Sequence, residues 1–93
     1  MSVTVVLPAP LKVLARGETE VELEPRAATV GAVLSALRAE LPAVYDRIVT
    51  EQGEIRPHIN VFVGTEDIRW SGGLATPVPA GGEVVVIPSV SGG

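Results

Sequence analysis

No cysteine occurs anywhere in the chain, and its aromatic residues are reduced to one Phe, one Tyr and one Trp, beside a single His. The missing thiols exclude disulfide staples, thiolate metal sites and cysteine nucleophiles. The scarcity of rings means that any core is aliphatic, drawn from the Val, Leu, Ile and Ala of a chain that is 46% hydrophobic. Basic residues are few as well: 7 Lys plus Arg stand against 11 Asp plus Glu, for a formal net charge of −4, and no basic stripe runs along the sequence. A nucleic acid partner is therefore not expected. Long apolar runs are also absent, since none approaches the roughly 20 residues that cross a bilayer. The opening MSVTVVLPAP has neither a basic flank nor a cleavage site, which leads to the expectation of a cytoplasmic protein with no membrane partner.

What is present fits one small domain. A chain of 93 residues leaves no room for a second core, and valine richness favours strands. Residues 2–7, SVTVVL, read as a strand, and residues 19–24, TEVELE, alternate charged and apolar side chains with period two. Val21 and Leu23 then face inward while Glu20, Glu22 and Glu24 face water, as on a charged edge strand. The stretch PAPLKVLARG between them reads as a hairpin loop.

From Thr29 the period changes. Val30, Val33, Leu34, Leu37 and Leu41 recur at three- and four-residue steps, the stripe of an amphipathic helix, with Thr29 as its N-cap and Pro42 as its stop. AVYDRIVTEQGEIRP suggests a short helical turn and a loop. HINVFVG then reads as a strand with Phe62 on the face opposite Ile59, Val61 and Val63. A turn-rich segment follows, with short strand potential at residues 68–70, and the apolar run EVVVIP reads as a central strand buried on both faces. Strand, strand, helix, strand, short strand, strand predicts an α+β fold of β-grasp type, a mixed sheet of four to five strands with one main helix on one face. The first and last strands form its central pair. Residues 1–88 are the expected domain and residues 89–93 a flexible C-terminal tail ending in Gly-Gly.

The segment NVFVGTEDIRWSGGLATPVPAGGEVVVIPSVSGG, residues 60–93, resembles the ubiquitin-like sulfur carrier proteins. That family includes the small subunit of molybdopterin synthase and the thiamine-biosynthesis carrier, and the likeness is strongest to the cysteine-biosynthesis sulfur carriers of actinobacteria. The shared pattern is an Asn-bearing strand, an acidic turn before an Arg and an aromatic, then Gly-Leu, Thr-Pro-Val, a Gly turn, an apolar strand, Pro and Gly-Gly. Gly82 departs from the Asp common in the family, and Trp70 from Phe or Tyr.

The resemblance implies that the Gly93 carboxylate is adenylated by a ubiquitin-activating-like adenylyltransferase and sulfurtransferase using ATP, then converted to a thiocarboxylate. It implies a protein cosubstrate rather than an enzyme, with no cofactor or metal bound by this chain. It also implies a sulfur-accepting, cysteine synthase-like partner and a metallopeptidase that releases cysteine. A molybdopterin synthase small subunit, a carrier shared by thiamine, thionucleoside or secondary-metabolite enzymes, and a ubiquitin-like protein modifier are the alternatives. A monomer that forms hetero-complexes is expected.

Physical chemistry agrees with a reactive tail. Pro88 ends the strand, and five further residues reach roughly 17 Å when extended. Gly92 and Gly93 have no Cβ to obstruct a narrow channel, Val90 suits an apolar anchor, and Ser91 is polar and small. With no cysteine, carried sulfur must ride on the carboxylate.

Phe62, Ile68, Trp70 and Leu74 are the candidate docking residues, rimmed by Arg69, with core packing as the alternative use of the apolar ones. The acidic group Glu18, Glu20, Glu22 and Glu24 serves either solubility or a basic partner. His58 reads as a solvated or backbone-bonded side chain, since one His cannot build a metal site. The glycine-rich segments lack the Lys and Ser/Thr of a phosphate loop, so nucleotide binding by this chain is not expected.

Overall fold

The computed structural model describes residues 1–88; the readings placed on Val90, Ser91, Gly92 and Gly93 lie outside the described residues. Five strands form one sheet: β1 (Val3–Val6), β2 (Glu20–Leu23), β3 (Ile59–Val63), β4 (Glu66–Asp67) and β5 (Glu83–Pro88). Their order is β2-β1-β5-β3-β4. β1 and β5 pair in parallel, while β1–β2, β3–β5 and β3–β4 are antiparallel. Two helices, α1 (Val30–Glu40) and α2 (Pro42–Ile48), complete the β-grasp arrangement. The N- and C-terminal strands lie at the sheet's centre, and the acidic β2 is at an edge, as the hydropathy pattern predicts.

The α1 stripe is the core's principal wall. Val30, Val33, Leu34 and Leu37 are buried along the helix, and Leu41 is buried at its end. Opposite them lie Val3 and Val5 of β1, Val84 and Val86 of β5, and Ile59 and Val61 of β3. Each such aliphatic side chain contributes about 1.5–3 kcal/mol when removed from water, the only large stabilising source in a chain this poor in aromatics. Thr29 Oγ1 accepts a hydrogen bond from the Ala32 N–H at 3.2 Å, which satisfies one of the free donors of the first turn.

Several local readings change. Pro42 stops α1 but also occupies the first turn of α2, where its missing N–H costs nothing. The expected short turn is thus a seven-residue helix that buries Val44 and Ile48. PAPLKVLARG is not a plain hairpin loop, because Ala9–Ala15 form a 3-10 helix that buries Leu11 and Ala15. Residues 68–70 are also a 3-10 helix rather than a strand, and the short strand is Glu66–Asp67. EVVVIP is central but not buried on both faces. Val84 and Val86 are buried while Val85 is half-buried and Ile87 exposed, since both helices lie on one side of the sheet.

The Thr-Pro-Val motif has a scaffolding role. The Thr76 C=O accepts from Val30 N–H at 3.0 Å, and Val78 N–H donates to Ala28 O at 2.9 Å, tying this loop to the start of α1. Gly82 is required by close approach: a Cβ there would lie 2.8 Å from the Pro79 carbonyl oxygen. Pro79 and Gly82 therefore form a matched turn, which accounts for the departure from Asp.

Candidate functional site

β5 delivers the end of the described chain to a defined place. Pro88, the last described residue, lies opposite Ile59, the first residue of β3. Because strand side chains alternate, the residues between the buried ones form the face turned away from the helices. Register places Val6, Val85 and Phe62 side by side across β1, β5 and β3. Ile87 comes next along β5, opposite Asn60, and is 44% exposed. The last step before the tail is thus an apolar strip on the uncovered side of the sheet.

The strip has charges of opposite sign at its two borders. On the β2 side Glu20 lies opposite Val6, and Glu22 opposite Thr4. At the other border stands Arg69. Asp67 Oδ1 accepts from the Arg69 N–H at 2.9 Å and so starts the 3-10 turn. Arg69 Nη2 then donates to Asn60 Oδ1 at 2.7 Å. β4 pairs only with Phe62 and Val63, so the guanidinium reaches Asn60 where that pairing has ended. It carries a positive charge beside the strip, held by its hydrogen bond to Asn60, while the Asp67 bond fixes the Arg69 backbone.

The five predicted docking residues do not assemble as one face. Phe62 is half-buried in the strip, Arg69 rims it, and Trp70 next to Arg69 is 81% exposed. Ile68 is a correction: the 3-10 turn points it inward, and it is buried in the core. Leu74 is 39% exposed and lies apart from the strip, over the first turn of α1, where a Cβ on Gly31 would stand 3.5 Å from the Leu74 Cβ. Ile68 and Trp70 sit on one short 3-10 helix and Leu74 on the next, Gly73–Ala75.

Val6, Val85, Ile87 and Asn60 join the site without having been predicted. The unbroken apolar run of EVVVIP carried no signal for which residues face outward; only strand register singles out Val85 and Ile87. His58 is exposed, as are Glu18, Glu20, Glu22 and Glu24. No helix among the described residues is long and apolar enough to cross a membrane.

The family model for ThiS matches residues 5–93. This chain belongs to the ThiS family. Among its relatives, the sulfur carrier protein CysO of Mycobacterium tuberculosis is 36% identical over 95 residues, covering all of both chains. The crystal structure of that species' CysO superposes with a TM-score of 0.83 at 34% identity, over 95% of this chain and 99% of the other. CysO of Amycolatopsis orientalis, solved in a BexX/CysO complex, gives a TM-score of 0.84 at 35% identity, with coverage of 98% and 99%. Small archaeal modifier protein 3 of Haloferax volcanii is 41% identical over 66 residues, 71% of each chain. The chain is thus similar both to proteins named as carriers and to one named as a modifier, and it shares their ubiquitin-like β-grasp fold.

Proposed function

We propose that this chain is a sulfur carrier whose Gly93 carboxylate is activated and converted to a thiocarboxylate, most directly for cysteine synthesis. The observation that carries this reading is the similarity to CysO, which extends over the whole of both chains and so includes the Gly-Gly end. In the first step a carboxylate oxygen of Gly93 attacks the α-phosphorus of ATP on a partner enzyme, forming the acyl adenylate and releasing pyrophosphate. A sulfide equivalent then attacks the acyl carbon, the bond to AMP breaks, and sulfur replaces the departing oxygen. The chain is the cosubstrate in both steps. In the third, the thiocarboxylate sulfur attacks the β-carbon of an activated serine derivative on a cysteine synthase-like enzyme, and the activating group leaves. The Gly93 acyl group then shifts from sulfur to the amine of the new cysteine. A metallopeptidase hydrolyses that amide to free cysteine and regenerate the carboxylate. All of this is cytoplasmic chemistry.

The domain's part is to be recognised. The strip formed by Val6, Phe62, Val85 and Ile87, with Arg69 fixed at its border and Trp70 nearby, is the proposed surface that docks on the activating enzyme. It includes the outer face of β5 up to Ile87, the residue before Pro88. With this surface docked, Gly93 is the end that enters the partner's active site. The BexX/CysO complex supports a carrier that works by binding a partner. Replacing Ile87 with Asp is expected to lower chain-dependent pyrophosphate–ATP exchange by roughly 10- to 100-fold, the effect of losing a central apolar anchor. Thermal unfolding should remain unchanged because Ile87 is exposed. Exchange at the wild-type level in Ile87→Asp and in Phe62→Asp would remove the strip from the account, and no exchange with any activating enzyme would remove the function.

A second reading has one observation in its favour, the 41% identity to a small archaeal modifier protein over 66 residues. The same acyl adenylate, attacked by a lysine amine instead of sulfide, gives an isopeptide bond. Conjugates of higher mass in cell extract would favour that fate.

A further inference from the structure

β2 is the first strand in the sheet order, so one of its edges has no partner strand among the described residues. The register shows which backbone groups face that edge. Leu7 N–H donates to Thr19 O at 2.7 Å, which makes Leu7–Thr19 a hydrogen-bonded pair. Antiparallel ladders alternate, so Val5–Val21 and Val3–Leu23 are bonded pairs, whereas Val6–Glu20 and Thr4–Glu22 are not. The N–H and C=O groups of Glu20 and Glu22 therefore point away from β1, into the open edge.

Beyond that edge runs a groove of about 940 Å3 between β2 and α1. Its helix wall carries Ala32, Ala36 and Ala39, three small side chains on one face, with Ser35, Glu40 and Arg26 also lining the groove. A strand beside β2 would have room there for side chains directed toward the helix. We propose that this edge accepts an extended segment of another protein, with alternating basic and apolar residues, as a sixth strand antiparallel to β2.

The alternation follows from geometry. Incoming residues opposite Glu20 and Glu22 exchange backbone hydrogen bonds with them, and their side chains emerge on the same side of the sheet as the two exposed carboxylates. Lys or Arg is favoured at those positions. The residues between them face the groove, where Val-sized side chains fit over the alanines. The same charges exclude a second copy of this chain, because antiparallel β2–β2 pairing sets glutamates against glutamates. The net charge of −4 adds to the selection for a basic partner. β1 lies between this edge and β5, so the open backbone edge is separate from Ile87 and Phe62, although the Glu20 and Glu22 side chains also border the outer strip. The proposal does not rest on the proposed sulfur chemistry.

The test is an NMR titration of the full chain with an acetylated, amidated Lys-Val-Lys-Val-Lys-Val peptide. Shift changes are expected at the Glu20 and Glu22 amides and the Ala32, Ala36 and Ala39 methyls. N-methylation of the lysine amides, which face the edge, should weaken binding by at least about tenfold, while N-methylation of the valines leaves it nearly unchanged. A Glu20→Lys/Glu22→Lys double variant should weaken it by about tenfold or more and bind a Glu-Val-Glu-Val-Glu-Val peptide instead. Ala39→Leu, at an exposed position that narrows the groove, gives an independent loss of affinity. Absence of binding at millimolar peptide, shifts centred on Phe62 and Ile87, indifference to lysine N-methylation or to the charge swap, or self-association through β2 would each overturn the proposal.

Discussion

Deleting Gly92 and Gly93 is expected to abolish sulfur loading while leaving the fold untouched. The deletion withdraws the carboxylate by about 7 Å, at roughly 3.5 Å per extended residue. A misplacement of even about 1 Å costs roughly 100-fold when two reactants must meet in a fixed site, so loading should fall below detection. Stability should be unchanged because the buried core of the described residues ends at Val86. Replacing Gly93 with Ala restores the length but adds a Cβ beside the reacting carbon, so it separates reach from passage. An intermediate rate for Gly93→Ala, with none for the deletion, is the expected pattern. Loading by the shortened chain at the wild-type rate would place the chemistry elsewhere.

Leu37→Ala has the opposite signature. Leu37 is wholly buried on α1, between the helix and the sheet, and its truncation leaves a cavity that rigid neighbours cannot close. A loss of about 3–4 kcal/mol is expected from chemical denaturation. That is a large part of the ~5–15 kcal/mol that holds a domain together, and Tm should fall by roughly 15–25 °C. Below the unfolding transition the variant should still be loaded, since Leu37 touches neither the tail nor the outer strip. Val13→Ala is the control: Val13 is 81% exposed, and its truncation should change stability by less than about 0.5 kcal/mol. A destabilisation by Leu37→Ala as small as that of Val13→Ala would contradict the assigned core.

The two variants divide the molecule as the sequence itself does. Helix α1 was legible because five aliphatic residues keep a 3.6-residue period between a Thr cap and a proline, and each of these signals acts locally. β2 was legible for a similar reason, since strict alternation of Glu with Val and Leu leaves one orientation against a core. The outer strip was less legible. Its residues come from β1, β3 and β5, and only strand pairing brings Val6, Val85 and Phe62 into one row. The apolar run of β5 fits burial on one face or on both, and the side on which the helices pack decides which. Ile68 was misplaced because a 3-10 turn redirects side chains without a clear periodic signature. Arg69 was assigned to the rim from its sequence neighbours, but its anchor, Asn60, lies nine residues away and only the fold joins them.

The central claim is that sulfur travels on the carboxylate of Gly93, and intact-mass spectrometry tests it most directly. The full chain, incubated with a cognate activating enzyme, ATP and a sulfur source, should gain the mass difference of one sulfur replacing one oxygen. Fragmentation should place that gain on Gly93, and a thiol-directed alkylating reagent should trap it in a chain that has no cysteine. An unchanged mass with every competent activating enzyme, or a gain located on any other residue, would contradict the account.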